Sequence, residues 1–293
     1  IHYSFKNMRF KIEFKLIGEM LRFSLPLVTS WILTLVLTLS DRYIIKYFGN
    51  LAEVGIYSLA YKISNVIRVF VVHSFAQAYI PIYYKYMNDP EGEKFYKKSL
   101  TYYTFIAVII ALTLTIFGQE AIQIVAKSEE FWASYKLLPY LVIGTIFAGF
   151  RQILVLPINK HKKTKVISIT NFSAGVINII LNIILVPYTG PVGAALATGL
   201  ANLFIVGIYY YHVNKLDNIR YEDWKIINAI TVCIALSTGA MFVADMDSAP
   251  RLIIKALLFV SFPIIMYIMK FYDKDEIGQV KDMIGKYIAK KGK

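Results

Sequence analysis

Long stretches of mainly apolar residues alternate along this chain with short, lysine-rich polar segments, and the stretches lack the period-two alternation of half-buried strands. Eight such runs stand out, at residues 23–40, 57–83, 101–118, 137–158, 166–186, 192–211, 226–244 and 252–272. A helix needs about 20 residues to cross a hydrocarbon core of about 30 Å, so each run is long enough, or nearly so, to span a bilayer. In lipid no water satisfies exposed backbone groups, which leaves helices or a closed barrel; runs this continuous select helices. The pattern therefore predicts an all-α integral membrane protein with eight transmembrane helices over residues 23–272, preceded by a basic segment at 1–22 and followed by a basic tail at 273–293. In that tail Ile277, Val280, Ile284, Tyr287 and Ile288 recur at helical spacing while Lys281, Lys286 and Lys290 fall on other faces. The spacing predicts an amphipathic helix lying on the membrane surface.

Charge orients the spans. Of the 32 Lys and Arg residues, 23 fall in alternate segments that include both termini, six flank the opposite ends and three lie inside spans. The positive-inside rule then puts both termini in the cytoplasm. The net charge of +13 is thus mainly topological, and with 57% hydrophobic and only 17% charged residues the chain offers little soluble basic surface for nucleic acid. The first run follows a basic segment, as in a signal peptide, but exceeds the usual 7–15-residue apolar core and is followed by seven more, so it reads as a retained helix. The chain opens at Ile1 within basic, semi-apolar sequence and is expected to continue a longer protein toward the N-terminus. The one cysteine, Cys233, rules out an intrachain disulfide. His2, His73, His161 and His212 show no metal-ligand spacing, no nucleophile–base pattern occurs, and neither a metal nor a cofactor is expected.

Charged and amide side chains inside spans are costly and mark functional candidates. The second run carries Lys62, Asn65, Arg68, His73 and Gln77. On a helical wheel Lys62, His73 and Gln77 cluster, and Asn65 and Arg68 continue that side, so half of the helix is expected to face a polar cavity or protein interior. Arg68 is too deep for its side chain to reach either interface. Lys62 and Arg151 are near enough to an end for snorkelling to compete with cavity lining. No acidic residue falls within the eight runs, and Glu120, Glu129, Glu130, Asp245 and Asp247 are expected in solvated outer loops. In the fifth run Asn171, Asn178 and Asn182 form one stripe with Gly175, either helix-packing glue or the lining of a polar path. Gly193, Ala194, Ala195, Ala197, Thr198 and Gly199 predict close packing of the sixth.

Two segments, DRYIIKYFGNLAEVGIYSLAYKI at 41–63 and NIILVPYTGPVGAALATGLANLF at 182–204, resemble the C-terminal half of the oligosaccharide-lipid flippases, in the polysaccharide-export branch of the multidrug/oligosaccharidyl-lipid/polysaccharide superfamily. In the first, Asp41-Arg42 closes one helix and Gly55-Ile56-Tyr57 opens the next. In the second, an Asn-bearing helix meets a Gly/Ala-rich one across a Pro/Gly turn. The resemblance implies one lobe of a two-lobed transporter in a bacterial cytoplasmic membrane, its partner being a missing N-terminal lobe or a second copy. It implies that an undecaprenyl-pyrophosphate-linked oligosaccharide is flipped by alternating access without covalent chemistry. By position, Arg68 is similar to the family's cavity cations, with Arg42 and Lys62 nearer the outer mouth. A drug or cation antiporter of the related toxin-extrusion branch, which is expected to carry a membrane acid, an enzyme acting on polyprenyl phosphates, and a non-transporting accessory protein are the alternatives.

Overall fold

The computed structural model describes residues 39–87, 89, 92–217 and 219–273, with the isolated positions Phe14, Ile17, Gly18 and Gly278. Residues 39–48 form a first helix, α1. A continuous rod, α2 (Leu51–Tyr86), follows, then α3 (Gly92–Ile116), a short α4 (Gly118–Val125), a 3-10 segment Glu129–Leu137 that runs into α5 (Leu138–Lys160), α6 (Thr164–Thr189), α7 (Pro191–Asp217), α8 (Asp223–Phe242) and α9 (Ser248–Ile268). Seven of these described rods are long and apolar enough to cross a membrane, and they coincide with runs two to eight of the sequence. The expected first span lies almost wholly outside the described residues, as does the expected amphipathic tail helix.

Helix α1 does not end at Ser40. It continues through residue 48, and Asp41 within it is only 5% exposed. Apolar-run reasoning stops at a charge; here the charge is absorbed by donors from other helices, so the helix need not stop.

Helix α2 is about 54 Å long at 1.5 Å per residue, longer than a bilayer core is thick. It is not uniform. Arg68–His73 form a π turn, which inserts one extra residue into the helical repeat. Buried positions run Tyr57, Ala60, Ser64, Ile67 and Val71 before and through it, then restart one residue out of phase as Val72, Ala76, Tyr79 and Tyr83.

Small side chains set the packing of α7. Ala194, Ala195 and Ala197 are fully buried, and a Cβ on Gly144 of α5 would stand 3.3 Å from the Cα of Gly199. This is the close approach expected from the Gly/Ala-rich run, because van der Waals contact is the main attraction between helices in lipid. The α6–α7 turn needs Gly190, whose φ of 58° with ψ of −138° lies where side-chain-bearing residues are strained.

Ionic clamps hold α9 at both ends. At one, Lys255, 2% exposed, meets both oxygens of Glu120 at 2.8 and 2.9 Å, and Arg251 Nε donates to the same carboxylate at 3.1 Å. Glu120, expected to be solvated, instead ties α4 to α9. Lys255, expected to flank the outer surface, is buried because this carboxylate neutralises it. At the other end Asp273 accepts from Lys98 of α3 at 2.6 Å and from Lys225 of α8 at 2.7 Å. Those two lysines hold the Asp273 carboxyl down at about 2.

Candidate functional site

Helices α1, α2, α5, α6 and α7 enclose a cavity of about 290 Å³. From α2 come Tyr61, Ser64, Asn65 and Arg68; from α5, Gly144, Thr145, Ala148 and Arg151; from α6, Asn171, Gly175 and Asn178; from α7, Thr198, Ala201, Asn202 and Ile205; Asp41 of α1 completes it. Small residues make the room. Gly144, Ala148, Gly175 and Ala201 remove side chains where the helices would otherwise fill the space, and amides, hydroxyls and two guanidinium groups occupy the wall.

Arg68 and Arg151 are half-buried, face this one space and lie close enough to act on each other electrostatically. Among the described residues neither forms an ion pair or hydrogen bond. Two like charges that face one cavity favour an anion between them, and guanidinium groups match phosphate oxygens in a fixed fork.

The lining also carries a carboxylate. Asp41 Oδ2 accepts from the Tyr57 hydroxyl at 2.8 Å and from Thr198 Oγ1 at 3.0 Å, and Oδ1 accepts from Asn182 Nδ2 at 2.9 Å. Asn182 also donates to the Asn178 backbone oxygen at 2.9 Å, and Asn178 donates to Thr198 Oγ1 at 3.3 Å. The fully buried Asn182 Oδ1 has no hydrogen-bond partner. The asparagine stripe is therefore divided. Asn171 and Asn178 line the cavity, while Asn182 sits behind the wall as a ligand of Asp41. Asn171 further accepts from the buried Tyr209 hydroxyl at 3.3 Å.

The α2 residues are divided too. Asn65 and Arg68 reach the cavity, whereas Lys62, His73 and Gln77 are exposed and stand outside its lining, on a face shared with Val66, Val69 and Phe70. A wheel describes one helix alone; which part of α2 borders the cavity is set by where α5, α6 and α7 pack against it. Arg42 donates to Ser58 Oγ at 3.2 Å and lies 5.0 Å from the centroid of the Tyr61 ring, at the edge of the site rather than in it. Asp41, read from the sequence only as a helix end, and Asn202 are cavity residues that sequence reasoning missed.

A solved structure of lipid II flippase MurJ in an inward closed conformation matches 93% of this chain with a TM-score of 0.67 at 17% identity. The chain shares the fold of that part of MurJ. Residues 1–87 also match the family model described as polysaccharide biosynthesis protein. An uncharacterized membrane protein of Methanocaldococcus jannaschii is 26% identical over 287 residues, which covers 94% of this chain. The chain spans 55% of that relative and 59% of the MurJ chain, little more than half of each. The three comparisons thus agree on a multi-pass helical membrane protein that is similar to a polysaccharide-biosynthesis family model over residues 1–87 and to MurJ in its fold.

Proposed function

We propose that this chain is the second lobe of a transporter that flips an oligosaccharide linked through pyrophosphate to a polyprenyl lipid, by alternating access and without covalent chemistry. One observation carries the reading: Arg68 and Arg151 face a single cavity with no carboxylate paired to either among the described residues. A diphosphate offers each guanidinium a phosphate, and its charge offsets the cost of keeping two cations in the membrane. Neighbouring Asn65, Asn171 and Asn202 add donors and acceptors suited to phosphate oxygens or the first sugar. The other lobe is supplied by a preceding segment or a second copy, and helices rocking around a midplane site are a known transporter plan. In this reading both ends of the chain face the cytoplasm, which the distribution of Lys and Arg supports.

The test is Arg68→Ala in the cell that uses the protein. The variant is expected to reach the membrane in normal amount and to lose surface polysaccharide, with Arg68→Lys recovering part of it. Normal polymer in Arg68→Ala cells sinks the proposal.

Asp41 favours a second reading in which the same cavity takes up a cation, for coupling or as cargo of an antiporter. A cation at that wall would meet the Asp41 carboxylate. Asp41→Asn keeps the shape and removes the charge. Under this reading transport in Asp41→Asn loses its dependence on the cation gradient, and unchanged dependence rejects it.

A further inference from the structure

The flippase reading leaves unused a dense basic rim where α5, α6 and α7 end together. His161 heads the α5–α6 turn, and its Nε2 lies 2.7 Å from Asp217 Oδ1, near the end of α7, while Lys160 Nζ reaches the same oxygen at 3.4 Å. These contacts hold the turn against the end of α7. They bring Lys162, Lys163 and Lys165 to the same corner as Lys215 and Arg220, all five exposed. The turn is tight enough to place Lys162 at a φ of 56°, so three lysines are crowded into four residues.

None of the five cations forms an ion pair among the described residues. The nearby acids are already engaged. Asp217 is held by Lys160 and His161, Glu222 by Lys225 and Thr101, Asp223 by the Tyr210 hydroxyl at 2.6 Å, and Asp273 by Lys98 and Lys225. On the α3–α8–α9 side of this end Lys98 and Lys225 are thus paired, whereas on the α5–α6–α7 side five cations stand together without a carboxylate.

We infer that this corner is a binding site for the anionic phosphodiester headgroup of a bilayer lipid. The height is right: the five residues sit at the ends of membrane-spanning helices, where headgroup phosphates lie. The charge is complementary, and each lysine at an anionic surface contributes about a fivefold gain in binding. The inference is local, one corner of one end, and so differs from the general bias of cations to that side. It does not depend on the cargo of the cavity.

The full chain, purified in detergent, is titrated with phosphatidylglycerol or phosphatidylcholine, and the bound lipid is counted by native mass spectrometry. The unmodified chain is expected to retain phosphatidylglycerol preferentially. The triple variant Lys162→Gln, Lys163→Gln, Lys165→Gln is expected to bind it about tenfold more weakly or worse, while Lys46→Gln, Lys127→Gln, Lys136→Gln at the opposite ends leaves the preference intact. Equal retention of the two lipids by the unmodified chain overturns the inference, and so does a preference that survives in the first triple variant. If that variant fails to fold, the unmodified chain still decides: its preference must shrink as salt rises from about 0.05 to about 0.5 M, and a salt-insensitive preference overturns the inference.

Discussion

At the scale of single residues, the polar groups of this protein work through what they are paired with. Asp41 persists in a membrane helix because three side chains from other helices donate to it, and each of those donors would lose its acceptor if the carboxylate were removed. Asp41→Ala is therefore expected to lower stability by about 1–3 kcal/mol, since buried donors left unsatisfied carry the cost. Tyr57→Phe removes only one hydrogen bond and should lower it by about 0.6 kcal/mol, the average for such bonds between membrane helices. Thermal unfolding in detergent compares the two; equal midpoints for Asp41→Ala and the unmodified chain contradict the argument. Arg68 and Arg151 are the converse case, since among the described residues no group pairs with either.

At the scale of elements, the π turn in α2 reconciles two faces that one regular helix cannot present together. Up to its first residue, α2 offers Ser64, Asn65 and Arg68 to the cavity; after it, Tyr79 and Tyr83 pack into an aromatic cluster with Phe95 and Tyr96 of α3. Removing the extra residue should let the turn become α-helical while both buried faces stay in phase. Deletion of Phe70, which is 70% exposed, is thus expected to yield a folded protein at least as stable as the parent. Deleting Val66 within the regular part should instead rotate one face by about 100° and destabilise the protein markedly. Melting curves of the two deletions decide this, and the same loss in both would refute the phase argument.

At the scale of the whole molecule, α9 is fastened to the bundle by charge at both ends and by apolar contact between. The Asp273 clamp joins three parts of the chain that are far apart in sequence, at Lys98, Lys225 and Asp273 itself. Its carboxyl titrates at about 2 against an ordinary 3.8, so folding favours the ionised form. The stability it supplies is complete above about pH 4 and is lost as pH falls through the folded value near 2. Asp273→Asn is expected to remove the part of the acid sensitivity that lies in this window. Unfolding midpoints of the two proteins from pH 6 to pH 2.5 should converge, and a constant gap would count against the clamp. Asp273 is one-third exposed, so the effect should be modest and should shrink with added salt.

The amino-acid sequence by itself determined the seven described spans, the segregation of Lys and Arg, the close packing of the Gly/Ala-rich α7 and the candidacy of Arg68. Each of these is a local sum, of hydropathy over about 20 residues or of side-chain size along one helix, and needs no knowledge of a neighbour. Only the tertiary structure decided which polar residues share a cavity. Asp41 meets Asn182 across 141 positions and Thr198 across 157, Lys255 meets Glu120 across 135, and a charge in an apolar run reads as a span end or a loop until its partner is known. The same holds for Lys62, His73 and Gln77, which a uniform helical wheel places with Arg68. The extra residue of the π turn is invisible to a fixed period, because only the helices packed on either side of it require the change of phase.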